Sequence, residues 1–238
     1  MPAALILDND GLLLDTESVW TRGERDLFER RGREFTLADK QELVGTSAEV
    51  AGAIIAQRLD EVGREAELIA ELDELVLDEL DGGVEPMVGA RELVAAMRER
   101  GTPIGLVSNS PARFISRALE LVEMAGEFGV VVSGHEVAAP KPAPDAYLEA
   151  CRQLEVDPGP EVIVLEDSPT GVAAGKAAGL TVVGVPSLPG VELEEADLVV
   201  DSLADPALFE RLGVASVGGP PRGLEAKRDT ARRCRTRT

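Results

Sequence analysis

The spacing of apolar and polar positions changes character once along this chain, near residue 85. At the N-terminal end Ala4, Leu5, Ile6 and Leu7 form a short unbroken apolar run, which predicts a strand buried on both faces. From residue 16 to 81 the spacing is helical. "TESVWTRGERDLFERRG" is amphipathic, and "AELIAELDELVLDEL" sets Leu68, Ile69, Leu72, Leu75, Val76 and Leu80 on one stripe. The nine acids between Glu61 and Asp81 read as the solvated face of that helix bundle. "DGGVEP", residues 81–86, carries the loop chemistry of a boundary. Beyond it, short apolar runs alternate with helical stretches. A helix at 88–100 leads to "PIGLV", a helix from Pro111 to "GVVV", a helix around 144–154 to "VIVLE", and a helix at 169–178 to "TVVGV". "DLVV" at 197–200 predicts a last short strand. Such alternation predicts a parallel sheet with helices on both faces. The chain is therefore expected to be one α/β domain, interrupted after its first strand by an all-helical insert.

Composition narrows the class. A hydrophobic fraction of 44% with only 3% aromatics predicts a sizeable, aliphatic core. No run of 18 apolar residues is present, so no membrane span or membrane partner is expected. The N-terminus enters a strand without a basic region or a cleavage site, and no secretory leader is expected. Cys151 and Cys234 lie far apart in no metal-binding spacing, which points to a reduced, cytoplasmic protein. The net charge of -20 argues against nucleic acid as a partner. Residues 218–238 hold seven basic and two acidic side chains, a local +5, so residues 1–217 carry -25. This Gly/Pro/Arg-rich end lacks apolar periodicity and is expected to be a disordered, solvated tail. A chain this acidic needs a local positive centre to bind an anion, and a metal ion would supply one.

In an open parallel sheet, ligands bind at the carboxyl ends of the strands, and four such ends carry polar groups. "DNDG" follows the first strand; alternation sends Asp8 and Asp10 one way and Asn9 the other. Two carboxylates on one face repel unless a cation is near, although the same four residues would also make an ordinary turn. "GLVSNSP" ends a strand with Ser108, Asn109 and Ser110, either an anion site or an N-cap at Ser110 with Pro111 in the first helical turn. "AAPKPAP" holds Lys141 in a stiff loop, a compact charge suited to phosphate in a chain with four lysines and 20 arginines. "VIVLEDSPTG" ends with Glu166 and Asp167, with Ser168 or Thr170 as the next cap. Together these ends place Asp8, Asp10, Glu166 and Asp167 along one edge. Hard oxygen ligands beside room for phosphate suit Mg²⁺.

With these four motifs in order, "DNDG", "SNS", Lys141 in "KP" and "EDSPTG", the sequence resembles the haloacid dehalogenase superfamily over roughly residues 3–205. The helical insert resembles the small cap of the β-phosphoglucomutase-like branch. The resemblance implies a Rossmann-like doubly wound parallel sheet built from residues 1–14 and 85–214, a helical cap at 15–84, and a basic tail at 215–238. It implies Asp8 as a nucleophile forming an aspartyl-phosphate and Asp10 as general acid and then base. Ser108, Asn109 and Lys141 would hold phosphoryl oxygens; Asp8, the Asp10 carbonyl, Glu166 and Asp167 would bind Mg²⁺.

Asn9 departs from the apolar residue usual in the family. Lys40, the one lysine of the insert, does not sit where a Schiff-base lysine would, and His135 reads as a loop residue. "DTESVWTRGE" resembles the cap entry of sugar- and polyol-phosphate phosphatases, which would turn Trp20 to the substrate; a place in the bundle core is the other reading. The "GTSAEV" turn, with Thr46 and Ser47, would be a specificity loop. β-Phosphoglucomutase carries a histidine in place of Trp20 and an arginine in place of Ala48. The expected activity is Mg²⁺-dependent hydrolysis of a small phosphorylated metabolite by a monomer or weak homo-oligomer. A phosphomutase and a catalytically silent phosphometabolite-binding protein are the alternatives.

Overall fold

The computed structural model describes residues 1–188 and 190–214; the expected tail at 215–238 lies outside the described residues. Its strands are β1 (Ala4–Leu7), β2 (Ile104–Ser108), β3 (Val130–Ser133), β4 (Val162–Glu166), β5 (Thr181–Gly184) and β6 (Leu198–Val199). They form one sheet in the order β3-β2-β1-β4-β5-β6, with every pairing parallel. The first strand is central. Ala4 to Leu7 are all 0% exposed, which is why this strand reads as continuous apolar sequence rather than as an alternation.

Helices α1 (Glu17–Glu29), α2 (Leu37–Leu43), α3 (Ala48–Leu59) and α4 (Glu65–Leu80) follow β1, and α5 (Ala90–Glu99) leads into β2. The remaining helices are α6 (Ala112–Leu121), α7 (Asp145–Gln153), α8 (Pro169–Ala177) and α9 (Pro206–Leu212). In α4 the expected stripe is buried through Leu68, Leu72, Leu75, Val76 and Leu80. α4 packs closely on α1, where Gly23 leaves room for Val76: a Cβ there would lie 2.5 Å from Val76 Cγ2. Several of the acids read as a solvated face are in fact paired. Arg31 bridges Glu61 and Glu71 at 2.6 and 2.7 Å, and Arg22 meets Glu79 at 2.6 Å.

The insert leaves and re-enters the sheet domain along one crossing. The Asp15 N–H donates to the Glu85 carbonyl and the Met87 N–H to the Leu13 carbonyl, each at 2.9 Å. Register then sets the site. Leu7 pairs with Leu106 on one side and Leu165 on the other. The next residues along each strand, Asp8, Val107–Ser108 and Glu166–Asp167, therefore emerge together at one carboxyl edge, beneath the helical cap. No helix among the described residues is long and apolar enough to cross a membrane.

Candidate active site

The edge opens into a cleft lined by Asp8, Asp10, Asn109, Lys141 and Asp167 from the sheet domain and by Trp20, Lys40, Thr46 and Ala48 from the cap. Lys141 organises its floor. Its ammonium donates to Asp8 Oδ1 at 2.6 Å, to Glu166 Oε1 at 2.6 Å and to the Val107 carbonyl at 2.9 Å. Asn109 fixes the backbone of that lysine from both sides: its amide donates to the Lys141 carbonyl at 3.1 Å and accepts from the Lys141 N–H at 3.0 Å.

Three carboxylates face this one ammonium. Oxygens of Asp8, Glu166 and Asp167 lie within 4.8 Å of one another, and all three residues are buried. Burial pushes the Asp8 carboxyl well above the usual carboxylate range; Lys141 opposes this, and Glu166, Asp167 and, least of all, Asp10 add to it. Asp167 is likewise raised, by burial first and then by Glu166. Burial would lower the Lys141 ammonium, but Asp8 and Glu166 outweigh it and raise it. The cluster is thus short of positive charge. Its donors are all hard oxygens, so the residues present fit a dication of the Mg²⁺ kind.

The expected repulsion between Asp8 and Asp10 is present, but Glu166 and Asp167 raise Asp8 more than Asp10 does. Asp10 has its own surroundings. Its Oδ1 accepts from Thr16 Oγ1 at 2.7 Å and from the Trp20 indole N–H at 3.4 Å; its Oδ2 accepts from Ser108 Oγ at 2.6 Å and Ser110 Oγ at 2.8 Å. Ser110 is therefore not the N-cap of α6, and no side chain caps that helix. Ser108, expected at a phosphoryl oxygen, has its hydroxyl on Asp10. Trp20 lines the cleft, and its ring packs tilted against Phe114 of α6 at 5.4 Å. Thr46 lines the cleft, whereas Ser47 accepts from the Val50 N–H at 3.4 Å and caps α3. His135 stands in a short 3-10 turn (Gly134–Glu136) beside the cleft.

Other residues shape the site without having been singled out. Tyr147, the one tyrosine of the chain, donates from its buried hydroxyl to Glu166 Oε1, and Lys141 Nζ lies 5.0 Å from its ring centroid. Ser187 donates to Asp167 Oδ2 at 2.6 Å. Two glycines leave space for carboxylates. A Cβ at Gly171 would fall 1.9 Å from the Glu166 carboxylate, and one at Gly11, where φ is +77°, would fall 2.4 Å from Asp167 Oδ2. Glycine in "DNDG" and "EDSPTG" was the available signal, but a clash with a carboxylate is invisible without coordinates. Ser168 does cap α8, accepting from the Gly171 N–H at 3.1 Å.

Comparison with known proteins agrees with this arrangement. A family model described as haloacid dehalogenase-like hydrolase matches residues 5–185. The bifunctional riboflavin kinase/FMN phosphatase of Arabidopsis thaliana is 32% identical over 208 residues, covering 86% of this chain and 54% of that relative, so the chain spans about half its length. The (DL)-glycerol-3-phosphatase 1 of the same plant is 35% identical over 213 residues, covering 84% of this chain and 70% of that protein. The crystal structure of CbbY from Rhodobacter sphaeroides in complex with phosphate superposes with a TM-score of 0.76 at 26% identity, over 86% of this chain and 96% of that one. The chain belongs to the haloacid dehalogenase-like hydrolases, in the branch related to glycerol-3-phosphatase and hexitol phosphatase, and is a phosphatase of that type.

Proposed function

We propose that the protein is a Mg²⁺-dependent phosphatase that hydrolyses a sugar or polyol phosphate in two steps through an aspartyl-phosphate on Asp8. The observation that carries this reading is the floor of the cleft: a buried nucleophile-type carboxylate gripped by Lys141 inside an acidic cluster, with a second carboxylate, Asp10, held by four donors beside it. In the first step an Asp8 oxygen bonds to phosphorus as the bond to the leaving oxygen breaks, and Asp10 gives that oxygen a proton. In the second, water attacks phosphorus, its proton passes to Asp10, and the Asp8 carboxylate is released with inorganic phosphate. Lys141 and Asn109, with Ser108 once its hydroxyl turns from Asp10, hold the phosphoryl oxygens. Asp8, Glu166, Asp167 and the Asp10 carbonyl would hold Mg²⁺, which would neutralise charge on the transferring phosphoryl group.

The cap, taken as residues 15–84, decides between hydrolysis and mutation of the phosphate position. A mutase has to grip a second phosphate, and Thr46, Ser47 and Ala48 at the cap turn bring no cation to it. Lys40 is already neutralised by two glutamates. The relatives named for FMN and glycerol 3-phosphate phosphatase activity support a substrate with a hydroxylated tail. The test is turnover of p-nitrophenyl phosphate with and without Mg²⁺, beside the Asp8→Asn protein. Activity that requires Mg²⁺ and vanishes in Asp8→Asn is expected; near-native turnover by Asp8→Asn would falsify the mechanism.

A further inference from the structure

The roof of the cleft holds a charged group that the chemistry on the floor does not use. Lys40, on α2, is only 9% exposed, and the exposed part lines the cleft. Its ammonium meets Glu17 Oε2 at 2.9 Å and Glu24 Oε2 at 3.0 Å, both from α1, and both of these residues also line the cleft. Burial would discharge this lysine, yet the two glutamates outweigh it and raise its pKa, so the ammonium stays charged. Glu24 is raised, by burial before anything else. One ammonium proton is donated to Glu24 Oε2. Among the described residues the Lys40 ammonium donates no other hydrogen bond: Glu17 Oε2 is buried at ion-pair distance and accepts none.

We infer that Glu17, Lys40 and Glu24 form a specificity subsite that reads hydroxyl groups on the substrate tail, resting on the phosphatase reading above. An ammonium with N–H donors to spare, beside two carboxylates that line the cleft, matches a group that both donates and accepts, which is what a hydroxyl does. The charge count disfavours anionic tails of similar size. One ammonium between two carboxylates is net negative, so a carboxylate or a second phosphate is repelled. Asp73 of α4, which also lines the cleft, adds no positive charge. A vicinal diol or longer polyol can satisfy donor and acceptor together without desolvating a new charge. Contacts of this kind lie away from the reacting phosphorus, so they set which ester is held rather than how the phosphoryl group moves.

The experiment compares kcat/KM for glycerol 3-phosphate, sorbitol 6-phosphate, 2-phosphoglycolate and p-nitrophenyl phosphate. A pair of sugar esters, glucose 6-phosphate and glucosamine 6-phosphate, tests whether an amine is preferred to a hydroxyl. The wild-type protein is expected to favour at least one polyol ester over 2-phosphoglycolate by about tenfold or more, about 1.4 kcal/mol of discrimination. Lys40→Met is expected to lower the ratio of polyol ester to p-nitrophenyl phosphate turnover by about tenfold. Lys176→Met, at a half-buried lysine paired with Asp197 and outside the cleft lining, serves as control and leaves that ratio unchanged. Because Lys40→Met leaves two buried carboxylates without a partner and risks the fold, the isosteric Glu24→Gln is measured beside it. It neutralises the triad and is expected to narrow the gap between polyol ester and 2-phosphoglycolate by about fivefold or more. The inference is overturned by ratios that do not move in either variant, by wild-type preference for 2-phosphoglycolate or for the amino sugar, or by turnover of p-nitrophenyl phosphate with no tailed ester accepted. A wild-type protein that hydrolyses no ester at all overturns the proposed function itself, and this subsite with it.

Discussion

Replacing Gly171 with alanine tests whether the acidic cluster depends on the backbone that frames it. Gly171 sits in the first turn of α8, where alanine alone would favour the helix by about 0.5–1 kcal/mol. The structure predicts the opposite outcome. The new Cβ would lie 1.9 Å from both Cδ and Oε1 of Glu166 and 2.1 Å from Oε2, so the carboxylate has to move by more than an ångström. Glu166 is wholly buried and has no solvent to turn towards. Moving it breaks the 2.6 Å contact with Lys141 and the hydrogen bond from Tyr147. Hydrogen bonds to charged groups contribute about 1.5–3 kcal/mol each, and part of the loss is recovered as the site relaxes. Set against the helix gain, a net destabilisation of about 2–4 kcal/mol follows, a fall in Tm of roughly 5 to 15 °C for a chain of this size. The assay is thermal or urea unfolding of Gly171→Ala in the wild-type and Glu166→Ala backgrounds. Without the carboxylate there is nothing to clash with, so in Glu166→Ala the glycine replacement should become neutral or stabilising. A Gly171→Ala protein as stable as wild type, or an equal loss in both backgrounds, would refute the steric argument.

Three further outcomes are expected. Asp8 and Asp167 have folded pKa values above their unfolded ones, so without metal the native state holds more protons and loses stability as pH rises from the ordinary carboxylate range through those raised values; the Mg²⁺-induced rise in Tm should therefore be larger at pH 8 than at pH 5, and an equal rise at both would contradict the electrostatic account. Asn9→Leu should stabilise the protein by about 1–2 kcal/mol in urea titration, because the Asn9 side chain is 0% exposed and neither its Nδ2 nor its Oδ1 has a partner among the described residues; a loss of stability would show that the amide is satisfied. Ser110→Ala should cut kcat on p-nitrophenyl phosphate by roughly tenfold through loosened placement of Asp10, while changing stability by less than about 1 kcal/mol, since Ser110 caps no helix; a loss of stability with kcat intact would restore the capping role.

Those outcomes depend on residues that periodicity did not mark, and the reason is physical. Strand β1 was legible because burial on both faces leaves an uninterrupted apolar run, and α4 because one face of a bundle helix has to be apolar. Asp8, Lys141, Glu166 and Asp167 were legible because each is a charged or polar residue where a buried strand or stiff loop ends, and parallel register carries such ends to one edge. The cleft between cap and sheet is a third environment, both buried and polar. Its residues look like surface in a binary pattern. Asp73 was counted with the solvated acids of α4, and Glu24 was not singled out within the amphipathic stretch of α1, yet both line the cleft. Glu17, Trp20 and Glu24 stand at i, i+3 and i+7, a helical stripe as regular as a hydrophobic one. What hides such a stripe is that its partner, Lys40, comes from a different helix after a turn, and that distance is fixed only when the bundle packs. A charged stripe on the first helix of an insert, facing a lone lysine on the second, is therefore the pattern by which a polar cleft wall can be read from sequence. Here it would have placed the roof of the site beside its floor.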